Sequence, residues 1–555
     1  MARFAGVGGR VLGHALPGLL LLVLAAGTVL PLAALLGRAF LDRNGGFAGM
    51  ANFVRYAAEP GLAVAAWNSV WLSAQTTVIT IVLAYPYAYA LARSAMPGRV
   101  AFRLAAMLPL LAPSLLPAFG MIYLFGQQGA LRSWLMGAEL YGPVGIVLAS
   151  VFHALPHAVL LLAAGLAAGD GRLYEAAQAL RAGPWRRFMT VTLPSSRYAL
   201  VSATSVVFVL VFTDFGVPTV VGGSTNVLAT DIYKLVIGRF DFELGAVVGV
   251  LLLAPAVLAN GIDALARRTQ RASLSGRSVP IAAVRMPVRD TALFLFCAAV
   301  AAAILGVIGM AAWGSLVRFW PYNLTLGLHN YARLLEDADE FRAVANSVVL
   351  AAGTAAVGTA MAALTGWLVA RRVGAGWAQG AIQAVAMLPV AVPGLVLGLG
   401  YVFFFNNPAN PLHGLQGTMA LLVVCTVAHF YTVPHLMAVG GLVRLDREID
   451  LAAQALRAGP ASVGRRVYLP YLAPVLVEMF GYFFVNAMTT VSALIFLFNA
   501  QTRVAAIAVV NLVEGSRFGQ AAAFAVVLMV LSLVATGVQL AVRAAILRRQ
   551  RWRVR

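Results

Sequence analysis

Lysine is all but missing from these 555 residues: Lys234 stands alone, after Ile232-Tyr233 and not at the end of a glycine loop. A phosphate-binding P-loop needs Gly-x-x-x-x-Gly-Lys-Ser/Thr, so nucleotide hydrolysis of that kind is excluded for this chain. Cysteine is almost as scarce. Cys297 and Cys425 fall inside apolar runs and are expected to pack as small apolar side chains, and no Cys/His spacing suited to a metal appears. Charged residues make up only 11% of the chain, where a soluble domain carries about a quarter.

What fills the chain instead is apolar: 61% of residues are hydrophobic and the mean hydropathy is +0.86. A membrane-spanning helix needs roughly 20 mostly apolar residues. Twelve such runs stand between short polar segments, at 14–37, 64–92, 100–125, 142–168, 196–217, 243–266, 291–315, 343–370, 378–405, 415–440, 471–497 and 519–547. The strict alternation of a membrane barrel is absent, so the expected fold class is an all-α membrane protein of about 12 transmembrane helices. The first run follows a weakly basic start, Arg3 and Arg10, without a small-residue cleavage pattern, and reads as a retained helix.

The formal net charge of +20 lies in the connections and not on a compact domain, so it sets topology and does not mark a nucleic-acid surface. With the N-terminus inside, the inner connections hold Arg93, Arg99 and Arg103; Arg172, Arg181, Arg186 and Arg187; Arg267, Arg268, Arg271 and Arg277; Arg371 and Arg372; and Arg444, Arg457, Arg465 and Arg466. The tail adds Arg548, Arg549 and Arg551, while an outer connection carries Glu336, Asp337, Asp339 and Glu340. Both termini are therefore expected in the cytoplasm.

Two nearly identical segments stand 276 residues apart, about half the chain. Ala176-Ala177-Gln178-Ala179-Leu180-Arg181-Ala182-Gly183-Pro184 reaches Leu193-Pro194, and Ala452-Ala453-Gln454-Ala455-Leu456-Arg457-Ala458-Gly459-Pro460 reaches Leu469-Pro470. Asn68-Ser69-Val70 likewise pairs with Asn346-Ser347-Val348, Arg93 with Arg371, and Met107-Leu108-Pro109 plus Pro113 with Met387-Leu388-Pro389 plus Pro393. The chain thus reads as two six-helix repeats, 1–266 and 290–555, joined by a basic cytoplasmic linker, 267–289. An even number of helices in the offset makes the copies parallel in the membrane.

Each repeated segment lies between the fourth and fifth run of its half, on the arginine-rich side. Alanine, glutamine and leucine predict a short helix there, at about 172–184 and 448–460, with Gly183-Pro184 stopping the first and Leu193-Pro194 marking the approach of the next span. A short helix outside the bilayer is suited to docking in a partner's groove. The pattern Glu175-Ala176-Ala177, a downstream glycine and Leu193-Pro194 resembles the signature of ABC importer permeases, and both halves carry it.

The resemblance implies a type I ABC importer permease fold in which each short helix is a coupling helix seated in a cleft of a separate ATPase subunit. By that likeness Glu175, Ala176, Ala177, Gly183, Leu193 and Pro194, with Ala452, Ala453, Gly459, Leu469 and Pro470, serve ATPase coupling. It also implies two copies of the ATPase, a periplasmic solute-binding protein, and ATP and magnesium held by the partner, so that this chain has no cofactor and is not itself an enzyme. Arg181 and Arg457 stand where the family usually has its glycine, with Gly183 and Gly459 two positions later, and Leu451 replaces the glutamate. The two ATPase contacts are accordingly expected to be unequal.

A candidate substrate pathway lies on the other side: Asp214 within Phe212-Thr213-Asp214-Phe215-Gly216-Val217-Pro218, then Thr230, Asp231, Lys234 and Arg239 in the polar stretch that follows. This region is similar to permeases for 2-aminoethylphosphonate, within a fused group that also serves ferric iron and thiamine. Lys234, Arg239, Asp214 and Asp231 would complement such a zwitterion. The competing class is an ion-coupled secondary transporter, whose relays would fall on Asp214, Glu478 and the pairs His153/His157 and His429/His435. The histidines recur between halves, and helix-to-helix hydrogen bonds are the expected role.

Overall fold

The computed structural model describes residues 7–273, 279, 285–373, 376–446, 448–456 and 458–550. Arg3, Arg277, Arg457, the tail from Arg551 and most of the linker beyond Ser273 lie outside these residues. Among those described, nine helices are long and apolar enough to cross a membrane, and three bent pairs bring the total to as many as 12. The chain is a helical membrane protein, as its composition requires. The departures from helix include a hairpin of Val317–Phe319 against Asn323–Leu326.

The bends follow proline. Arg99–Leu111 meets Leu115–Phe125 at 104°, and in the second repeat Gly376–Ala391 meets Gly394–Phe405 at 115°. In each, a tight turn at Leu108–Leu111 or Leu388–Ala391 runs into an extended Ala112 or Val392, the residue preceding Pro113 or Pro393. Proline has no N–H to continue the ladder and pushes its predecessor out of helical space. The third pair, Met419–Phe430 with Thr432–Val443, bends by 59°, whereas its counterpart Pro143–Ala167 remains one helix around Pro156.

Spans five and eleven differ from expectation at both ends. The fifth begins at Pro184, passes through a π turn at Phe188–Thr192 and ends at Phe212; the eleventh passes through Gly464–Tyr468 and ends at Thr489. Leu193-Pro194 and Leu469-Pro470 therefore lie inside continuous helices and not ahead of them. The wide π turns place each proline in the first turn of the following segment, where a missing N–H is tolerated. The linker is shorter than expected, since the helix beginning at Phe242 runs to Ser273 and the next begins at Pro287.

The chain falls into two compact units, and these do not follow the sequence repeats helix for helix. One comprises Met50–Leu335 and Val509–Val526; the other comprises Met1–Gly49, Glu336–Ala508 and Val527–Arg555. Each thus takes in the opening span of the opposite repeat. The docking is close in both. A Cβ on Gly120 would lie 2.1 Å from the Val307 carbonyl oxygen in the helix Pro287–Leu316, and one on Gly400 would lie 2.6 Å from that of Pro31 in Leu30–Arg38. Only glycine permits such approaches. Cys297 and Cys425 are buried and free within their respective units, and the Cys425 thiol donates to the Ala493 carbonyl at 3.5 Å.

Candidate functional site: two connector helices and an outer loop

The first connector helix spans Gly171–Ala179, with Asp170 at its N-cap accepting the Arg172 N–H at 3.1 Å. It stops earlier than expected, and Gly183-Pro184 does not stop it. Arg181 does, at a φ of +51° that returns the chain, with its N–H on the Gln178 carbonyl and the Ala182 N–H on the Ala177 carbonyl, both at 2.9 Å. A left-handed residue is the usual helix terminator and strongly favours glycine; arginine holds it here at a cost of about 1 kcal/mol. Gly183 instead precedes the next helix, which opens with Pro184 at its first position. The second connector spans Glu448–Ala455, and beyond it the Ala458 N–H reaches the Ala453 carbonyl at 2.9 Å.

One side of each connector packs inward and the other is bare. Ala177 is buried, while Glu175, Ala176 and Ala452 are exposed. Leu180 and Leu456 occupy equivalent positions and are 81% and 80% exposed. Leu173 and Trp185 add apolar surface to the first connector, and Leu451, at the position of Glu175, adds it to the second. No Cβ placed on Gly183 or Gly459 would touch another atom within 4 Å among the described residues. Both connectors thus present a leucine and an open glycine outward. The prominence of Leu180 and Leu456 is absent from the motif reading because leucine alone does not announce which face it takes.

Each connector is anchored beneath by a buried arginine from the end of the second span of its repeat. In the second repeat Arg371 bonds Asp450 at 3.0 Å and the Leu445 carbonyl at 3.2 Å, above the Tyr468 ring at 5.2 Å, and the Tyr468 hydroxyl donates to Asp450. In the first, Arg93 sits 4.9 Å from the ring of Tyr174, whose hydroxyl donates to Thr192 at 2.8 Å. Tyr174 and Asp450, and Thr192 and Tyr468, are related by the repeat offset of 276. One anchor is an ion pair; the other is a cation over an aromatic ring, with the Arg93 Nε and one Nη lacking partners among the described residues.

On the other side, the repeated Asn-Ser pairs act as latches. Asn68 donates to the Asn226 carbonyl at 3.1 Å and Ser69 accepts the Leu228 N–H at 2.7 Å. Asn346 donates to the Gln501 and Arg503 carbonyls at 2.8 and 2.9 Å, and Ser347 accepts the Ala505 N–H at 2.8 Å. The latches fix the loop that follows span five or eleven, which is the loop carrying the candidate pathway residues in the first repeat.

Those residues are mostly engaged in holding that loop. Asp214 lies past the end of span five and accepts the N–H groups of Gly216 and Val217 at 3.2 and 3.1 Å, capping the short helix Gly216–Val221. Thr230 caps Leu228–Tyr233 through the Val227 N–H, Lys234 donates to the Asn226 side chain, and Arg239 pairs with Glu59 at 3.5 Å. Asp231 is buried with one carboxylate oxygen unpartnered, and burial raises its carboxyl from 3.8 to about 6 against the opposing pull of Lys234 and Arg239. Glu478 pairs with Arg543 at 2.7 Å. His435 bridges Thr365 and Gln383, both at 3.0 Å, as expected of a helix-to-helix hydrogen bond, whereas the Nδ1 atoms of His153, His157 and His429 have no partner among the described residues.

A twofold-repeated set of apolar spans, with one exterior connector helix per repeat, defines a membrane permease made of two fused halves. The chain belongs to the family described as the binding-protein-dependent transport system inner membrane component, matched at residues 81–272 and again at 362–548. Among its relatives, a ferric transport system permease protein of Actinobacillus pleuropneumoniae is 28% identical over 433 residues, covering 75% of this chain and 61% of the relative. A probable ABC transporter permease protein of Sinorhizobium fredii is 26% identical over 475 residues, covering 80% and 81%. The chain spans about three fifths of the length of the two ferric permeases it matches first, 61% and 58%. A bacterial ABC transporter involved in the import of alginate aligns at a TM-score of 0.35 and 18% identity, over 43% of this chain and 88% of its own.

Proposed function

We propose that this chain is the permease subunit of an ATP-driven importer supplied by a periplasmic binding protein, with both termini cytoplasmic and one ATPase copy seated on each connector helix. The observation that carries this reading is the repeated pair of connectors, each anchored by a buried arginine and each presenting a bare leucine, Leu180 or Leu456. Exposed apolar side chains on an anchored helix are what a partner's groove recognises. ATP and magnesium reside on the partner, and this chain supplies the pathway and the coupling contacts at Glu175, Ala176, Ala177, Gly183, Ala452, Ala453 and Gly459. Leu193-Pro194 and Leu469-Pro470 carry movement of the connectors directly into spans five and eleven, since helix is unbroken from Pro184 to Phe212 and from Gly464 to Thr489.

The cargo proposed is 2-aminoethylphosphonate or a similar small solute, a reading supported by the sequence around Phe212–Pro218. A second reading, ferric iron, is supported by relatives named as ferric permeases. The deciding experiment is to purify the chain with its neighbouring ATPase and binding protein and measure ATP turnover in proteoliposomes against phosphonates, ferric complexes and thiamine. Turnover stimulated by one loaded binding protein assigns the cargo. Transport under a proton or sodium gradient with no ATPase present sinks the proposal and returns the secondary-transporter reading.

A further inference from the structure

Within the unit formed by Met50–Leu335 and Val509–Val526 lies a cleft of about 380 Å³ that no candidate site residue lines. It sits at the far end of Leu115–Phe125 and at the end of Pro287–Leu316, and hence on the side opposite the connector Gly171–Ala179, one span removed along Pro143–Ala167. Its volume falls in the range of small-molecule sites.

Three arginines line it, Arg318 from the hairpin, Arg333 from the helix His329–Glu336 and Arg517 ahead of the final span, and no aspartate or glutamate does. None of the three pairs with a carboxylate among the described residues. Three like charges around one concavity give it a positive potential that an anion would offset. The first-turn residues Phe518, Gly519 and Gln520 of the 32-residue helix Phe518–Arg549 also face the cleft, adding N–H donors that have no acceptor within the helix.

The walls are built, not incidental. Asn330 donates to the Ser315 and Val317 carbonyls at 2.9 and 3.0 Å, tying the hairpin to its helix. Trp320 meets Tyr123 edge-on at 5.7 Å and Trp313 at 5.4 Å, and Gly314 lies so close to the Tyr123 ring that a Cβ there would stand 2.2 Å from it. Aromatic faces beside a cationic cluster accommodate a ligand with an anionic head and an apolar or ammonium remainder.

We propose that this cleft binds a small solute through its oxyanion group, of phosphate or phosphonate type, with Arg318, Arg333 and Arg517 as donors and Trp320, Tyr123 and Phe518 against the remainder. That the cleft meets incoming solute rests on the importer reading above; the binding itself does not. A lipid phosphate offers the same chemistry, and the membrane composition separates the two.

The test takes the full chain first in a phosphate-free maltoside detergent and then in discs of phosphatidylcholine, and titrates inorganic phosphate, then 2-aminoethylphosphonate, following tryptophan fluorescence as the difference from Trp320→Phe. A saturable change is expected, weakened roughly 10-fold by each of R318Q, R333Q and R517Q, the loss of one charged hydrogen bond. Circular dichroism and melting of each variant, which lies on exposed side chains, confirm an intact fold. A titration that does not saturate, or that is unchanged in the variants, overturns the proposal. So does a signal that requires phosphatidylglycerol in the discs, which assigns the cleft to a headgroup. Failure of ATP-driven import with phosphate binding retained would strike the importer reading alone.

Discussion

Arg371 and Asp450 meet at 3.0 Å beneath the second connector helix, and the position of Asp450 is held in the first repeat by Tyr174, with its ring 4.9 Å from Arg93. The same architectural joint is therefore made with two chemistries. An ion pair largely screened from water is firm while both partners remain and costly when one is lost. A cation over a ring is weaker and less directional.

Asp450→Asn should accordingly destabilise the second repeat by about 3 kcal/mol, because it leaves the Arg371 charge buried and unpaired. Tyr174→Leu should cost only about 1 kcal/mol in the first. Thermal melting in detergent measures both. The double variant Arg371→Met, Asp450→Leu should recover much of the loss, and equal effects of the two single variants would show that the anchors do not differ as described.

Gly183→Leu and Gly459→Leu should leave melting and membrane insertion unchanged, since a Cβ at either position meets nothing among the described residues within 4 Å. Cargo-stimulated ATP turnover should fall several-fold, because the added bulk projects into the partner's groove. Unchanged turnover would remove both glycines from the contact.

Leu180→Asp and Leu456→Asp test the docking face directly. Both side chains are about four-fifths exposed, 81% and 80%, so the fold has little to lose. Co-purification of the ATPase should drop by at least about 10-fold, as expected of an apolar anchor replaced by a charge. Full recovery of the complex would place the ATPase elsewhere.

Asp231 gives a dependence on pH. Its folded carboxyl titrates at about 6 against an ordinary 3.8, raised by burial. The folded state binds the extra proton, so this contribution to stability is complete below about 4 and is lost as pH rises through 6. Relative to Asp231→Asn, the melting temperature should fall as pH rises from 4.5 to 7.5. A variant with the same slope would show that another group carries it.

Much of this was legible in the sequence. The duplicated Ala-Ala-Gln-Ala-Leu segment located both connectors, Arg93 and Arg371 stood out as a repeated pair though not as anchors, and the prolines at 109, 113, 389 and 393 fell where the spans bend. What escaped are the features set by contact across the fold. Nothing local reveals that Asp450 answers Arg371 while Tyr174 answers Arg93. The exact ends of helices escaped for a different reason: Gly183-Pro184 serves equally to stop one helix or to begin another, and the choice falls to Arg181 adopting a conformation that arginine disfavours. The residues offered for the pathway were chosen by chemical type, which does not distinguish capping, as at Asp214, from contact with cargo.

The exchange of opening spans governs the order in which the molecule is completed. The unit containing Met50–Leu335 lacks Val509–Val526 until synthesis has passed that stretch, and the chain's first helix waits for residues beyond Glu336 before its own unit exists. A ribosome must thus have delivered the chain through Val526 before the first unit is finished, the opening helix enters the lipid before the rest of its unit exists, and cutting the gene at the linker would strand one helix on each side.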